Sequence, residues 1–151
     1  MKKFMIILTL LIAVFGASAY LFFKPKNLQN NEVVLDTELT PLPCDLNKEH
    51  SCEVEYKGKK VSFALSPKPI YTMQPVTVKI EGLSDIKNPS LEISGVNMDM
   101  GVIKAKLEPR ENGYVSNVVL SSCLLTVMRY RFEIYSNGKK IGLFIDFDLR
   151  Q

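Results

Sequence analysis

The chain has 151 residues, with no tryptophan, one histidine and three cysteines. Its formal charge of +3 comes from four lysines around an apolar N-terminal run; beyond that run fifteen basic residues face sixteen acidic ones, which leaves −1. That balance excludes a basic nucleic-acid footprint, and a single histidine leaves little room for imidazole-based catalysis.

Met1-Lys2-Lys3 is followed by an uncharged stretch from Phe4 to Phe23, closed by Lys24-Pro25-Lys26. At helical rise that stretch covers about 30 Å, the thickness of a hydrocarbon core. Residues 1–26 are therefore expected to form one transmembrane helix that stays as an anchor. Ala17-Ser18-Ala19 also fits a small-x-small cleavage site, so a cleaved signal peptide is the alternative. Either reading exports the rest of the chain. Residues 27–43, with three asparagines and Thr40-Pro-Leu-Pro43, show no sustained periodicity and read as a linker.

From residue 44 the pattern turns to short strands with turn residues between them. Cys52–Lys57 and Lys60–Leu65 flank Gly58-Lys59 as a hairpin, and Ser66-Pro-Lys-Pro-Ile70 cannot lie inside a ladder. Strands are then expected over Val76–Ile80, Ser90–Ser94, Val102–Leu107, Tyr114–Leu120, Leu124–Tyr135 and Lys140–Asp148, with a turn at Ser136-Asn-Gly138. No amphipathic helix is expected beyond the N-terminal run. The predicted fold is all-β, an immunoglobulin-like antiparallel β-sandwich of about eight strands over residues 44–151.

In an exported domain two of Cys44, Cys52 and Cys123 should pair. Cys44 and Cys52 bracket a short polar loop where the linker meets the first strand, and their bridge is favoured over one that uses Cys123. Gly95-Val-Asn-Met-Asp-Met-Gly101 holds two methionines one residue apart. In an extended segment Met98 and Met100 would point the same way, with Asp99 opposite. Thioethers and thiolates suit Cu(I), and methionine is also ordinary core filler. Cys123, with Met128 five residues on, is a further candidate soft ligand or a buried small hydrophobe. Met128, Met73 and His50 are lesser ligand candidates. Asp146 and Asp148 alternate on the last strand and are expected to face solvent. No paired nucleophile and base, phosphate loop, CxxC or HExxH appears, so a non-enzyme is expected; the missing CxxC also argues against a thiol-redox role for Cys44 and Cys52.

The N-terminal run, Cys44 and Cys52, Pro67-Lys-Pro69, the Gly95–Gly101 segment, Gly113-Tyr114 and Cys123-x4-Met128 follow in an order that resembles the FixH/YtkA-like immunoglobulin-fold proteins, small membrane-anchored periplasmic proteins of proteobacteria. The resemblance spans residues about 44–148, although Arg129-Tyr130 stands where a tryptophan would be expected close to Met128. It implies a single pass through the inner membrane, a periplasmic C-terminal domain, and a role in copper supply or in assembly of a respiratory cytochrome oxidase. Met98, Met100 and Cys123 would then hold Cu(I), with a membrane protein complex as partner. The alternative is a metal-independent protein-interaction module of such a complex.

Overall fold

Alternating apolar positions of the described residues sort into nine strands. A computed structural model describes residues 39–150, so the expected N-terminal helix lies outside the described residues. The strands are β1 (Cys52–Tyr56), β2 (Lys59–Ser66), β3 (Pro75–Glu81), β4 (Pro89–Gly95), β5 (Val102–Lys106), β6 (Glu108–Arg110), β7 (Gly113–Val119), β8 (Val127–Ser136) and β9 (Lys139–Arg150). They form two antiparallel sheets, ordered β1-β2-β3-β7-β6 and β5-β4-β8-β9. The described domain is an all-β sandwich.

Period-2 burial explains most of it. Val61, Phe63 and Leu65 on β2, Val76, Val78 and Ile80 on β3, and Leu143, Ile145, Phe147 and Leu149 on β9 all face the core. Between the sheets the Phe147 ring packs on Phe132 and Tyr130, with ring centroids 6.0 and 6.1 Å apart. Lys57-Gly58 and Asn137-Gly138 both take positive φ, the geometry of tight hairpin turns, and they join β1 to β2 and β8 to β9.

Three features differ from the expected strands. The strand expected over 102–107 is β5 and ends at Lys106, paired with β4; Leu107 is buried, and a further strand that was not expected, β6, pairs with β7 in the other sheet. The chain therefore crosses between sheets at Leu107, and β6 forms a sheet edge where Pro109 withholds no needed donor. The second difference is that β8 begins at Val127, so Leu124 to Thr126 belong to a loop. Third, Asp146 and Asp148 do not simply face solvent. Each pairs through both carboxylate oxygens with an arginine of β8: Asp146 with Arg131 at 2.7 and 2.8 Å, Asp148 with Arg129 at 2.6 and 2.8 Å. Arg129 is only 8% exposed, and its guanidinium also donates to the Thr40 carbonyl at 2.7 Å. The Asp148 carboxylate raises the guanidinium's pKa above its ordinary value.

The segment before β1 closes the remaining side. Cys44 and Cys52 form the favoured disulfide, and Leu46 inside that loop is buried. The Asn47 side chain donates to the Asp148 carbonyl of β9 at 2.6 Å. The residues expected as the end of the linker thus lie against β8 and β9.

Candidate functional site

Three loops meet at one end of the sandwich. They are the β2–β3 loop with Met73, the β4–β5 loop with Met98 and Met100, and the β7–β8 loop with Cys123. Register places the first and third together, since Pro75 lies opposite Val119 and the Met73 N–H donates to the Leu120 carbonyl at 2.9 Å. The β7–β8 loop then crosses to the second sheet, where Gly95 lies opposite Tyr130 and the Val96 N–H donates to the Arg129 carbonyl at 2.8 Å.

At the centre of this end the Cys123 thiol donates toward the Met128 sulfur at 3.5 Å. Met128 is fully buried, whereas Cys123 is half-buried. The Leu125 N–H donates back to Cys123 Sγ at 3.4 Å. Beneath them the Tyr130 hydroxyl donates to the Ser121 carbonyl at 2.6 Å and fixes the start of the loop. Burial, with Cys123 adding to it, pushes the Tyr130 phenol up to about 12.

The methionine loop is fastened over this pair. Asn97 donates through Nδ2 to the Val127 carbonyl and accepts through Oδ1 from the Arg129 N–H, each at 2.9 Å, so one side chain grips β8 on both sides of Met128. Sequence reasoning passed over Asn97. The signal that could have found it is an asparagine just past a strand end, where a side-chain amide can replace lost ladder bonds. Gly95 is required for the same fit: a Cβ there would meet both the Met98 carbonyl and the Met128 methyl.

No protein-family model, curated protein or solved structure matches this chain.

The expected ligands divide by position. Cys123 and Met128 are brought into contact, and the Met98 backbone lies beside the Met128 methyl. The residues around Met98 form a loop rather than an extended strand, and Asp99 accepts from the Gly101 N–H at 2.9 Å within a local turn. The two thioethers therefore have different surroundings: Met98 is 39% exposed, whereas Met100 packs against the core. Met73 is 69% exposed on the neighbouring loop. His50 is exposed within the disulfide-closed loop. Among the described residues, no group of three or more His, Cys, Asp or Glu side chains is placed to hold a metal ion. What this end brings into contact is the Cys123 thiol and the Met128 thioether, with Met73 and Met98 on the neighbouring loops.

Proposed function

We propose that this protein is a membrane-tethered periplasmic domain that binds Cu(I) through sulfur at the Met98–Cys123–Met128 end and assists copper supply to a respiratory oxidase. The observation that carries the reading is the 3.5 Å approach of Cys123 Sγ to Met128 Sδ under a loop that exposes Met98. Two sulfur donors about 2.3 Å from a d¹⁰ ion lie roughly 3.8 Å apart, so the pair needs to open by only a few tenths of an ångström. Thiolate and thioether donors select Cu(I) over harder ions. The Leu125 N–H already points at the sulfur that would carry the negative charge. Met128 would close the site from the core side, and Cys123 with Met98 would form its open side. An exposed third donor suits an ion that is held and passed on.

The finer fold assignment fits the same reading. The order β2-β3-β7-β6 against β5-β4-β8-β9 follows the A-B-E-D and C′-C-F-G order of immunoglobulin-like sandwiches, with β1 added at one edge. In that frame Tyr130, whose hydroxyl reaches back to Ser121 across the turn between sheets, takes the place of the tyrosine corner. The expected single N-terminal transmembrane helix completes the proposal.

The test is a competitive Cu(I) titration of the domain with a non-thiol reductant that leaves Cys44–Cys52 intact. One Cu(I) per chain is expected. Cys123→Ser with Met128→Leu should lower affinity by at least about a hundredfold, the equivalent of roughly 2.7 kcal/mol, and Met98→Leu with Met100→Leu by less. Undiminished affinity in the Cys123→Ser, Met128→Leu protein rules the reading out.

A further inference from the structure

β7 is an interior strand along only part of its length. On one side β3 pairs with it from Gly113 to Val119, but on the other β6 reaches only from Gly113 to Val115. The chain enters that sheet just after Leu107, so among the described residues no strand lies beside Ser116 to Val119 on the β6 side. Pro109 fixes which backbone groups are left over. It has no N–H, so its pairing with Tyr114 is the kind without direct hydrogen bonds, and the bonds fall on Glu108 with Val115 and Arg110 with Gly113. Val115 therefore turns its N–H and C=O toward β6, and by alternation Asn117 and Val119 turn theirs to the same side. The Leu120 carbonyl agrees, since it points the other way and accepts from the Met73 N–H. Two donors and two acceptors are left as a short bare edge.

The other sheet edges of the described domain are guarded in the usual ways. β1 carries Glu53 and Glu55, β5 carries Lys104 and Lys106, β6 is Glu108-Pro109-Arg110, and β9 begins with Lys139-Lys140. Ser116 to Val119 carries no charge, no proline and no bulge. This edge opens on a groove of about 410 Å³ whose far wall is β5. Ile103 and Ala105 turn from β5 toward the core, and with Val118 they give the groove an apolar floor. Lys104 and Lys106 stand exposed at its lip. Lys104 pairs with Glu92, whereas Lys106 makes no ion pair among the described residues. Glu108, which also lines the groove, is matched by Arg110 at 3.4 Å. The lip is left with positive charge.

We infer that this edge accepts an extended acidic segment of another protein, which adds as a strand beside β7 in line with β6. Main-chain hydrogen bonds to Asn117 and Val119 hold the segment, and its inward side chains, small and apolar, sit among Ile103, Ala105 and Val118. Its carboxylates meet the lysines at the lip, which selects it over a neutral or basic strand. The inference is independent of copper and of the reading of residues 1–26.

Amide hydrogen exchange tests it residue by residue. Isotope-labelled full-length protein in detergent micelles is mixed with a blocked heptapeptide of alternating valine and glutamate, or with its valine–lysine counterpart. Without peptide the Asn117 and Val119 amides should exchange fast and the Val118 amide, bonded to β3, slowly. The glutamate peptide is expected to slow Asn117 and Val119 by at least about tenfold and to leave Val118 unchanged, while the lysine peptide does neither. Lys106→Glu, at a residue without an ion partner, should weaken the glutamate peptide by at least about threefold. Equal protection by both peptides overturns the acidic preference, and protection by neither, or only at other strands, overturns the strand addition. Protection that appears without peptide and grows with protein concentration gives the edge to a second copy and also overturns the inference.

Discussion

The space over the Gly95 Cα is taken by the Met98 carbonyl and the Met128 methyl, so a side chain at 95 would push the methionine loop off β8. Backbone does not yield as a flexible side chain does. Gly95→Ala should therefore cost about 2–3 kcal/mol in urea unfolding, whereas Gly101→Ala, which meets open space but keeps φ at +72°, should cost about 1 kcal/mol. Tyr130 gives a second, pH-dependent check. Its folded pKa is raised from 10.0 to about 12 by burial and then by Cys123. The stability it contributes is complete below pH 10 and is lost as pH rises toward 12, an amount on the order of 2 kcal/mol. Unfolding compared between the native protein and Tyr130→Phe should show the native advantage at pH 8 eroding over that interval, and the variant should lack the latest-ionising tyrosinate absorbance. At this scale the sequence pointed to Met98, Met100 and Cys123 first, and to Met128 as a lesser candidate, by residue type alone. It could not show that Met128 is the buried partner of Cys123, because that depends on how the loop folds back, nor that Asn97 holds the loop in place.

Strands were legible wherever one face meets the core and the other meets water, as in Val61, Phe63 and Leu65 of β2. Detail was lost where burial is two-sided or the chain changes sheet. Val127 to Tyr130 lie in the expected strand, but that Arg129, which alternation would send to water, is buried under Asp148 and Thr40 was not legible. Leu107 continues an apolar pattern that runs unbroken through a change of sheet, and Leu124-Leu125 reads as strand although Leu124 stands exposed. The Cys44–Cys52 element was legible as a bracket around a polar loop, but its anchoring of β9 through Asn47 was not. The bridge closes a loop of sequence separation 8. Cys44→Ala with Cys52→Ala should therefore lower unfolding free energy by about 2.5 kcal/mol, read from the urea midpoint at unchanged slope. An unchanged midpoint would mean that Leu46, Asn47 and Arg129 hold this segment without covalent help.

At the scale of the whole described domain, the all-β architecture follows from turn residues at short spacing, and the two sheets answer to that pattern. What no local pattern contained is the meeting of the loops that carry Met73, Met98 and Cys123 at one end, since those loops are far apart in sequence and are brought together only by sheet order. The crossing at Leu107 has a mechanical counterpart. On that side the two sheets share continuous backbone, like the spine of a book. On the other side β1 and β9 are held by a clasp: one disulfide, the Asn47 amide and the Arg129 grip on Thr40. Covers bound along one margin part along the other. Tension arriving through the N-terminal segment falls first on the clasp, so a pull from that segment would open this domain edge-first at β9 and leave the spine, with Leu107, until last.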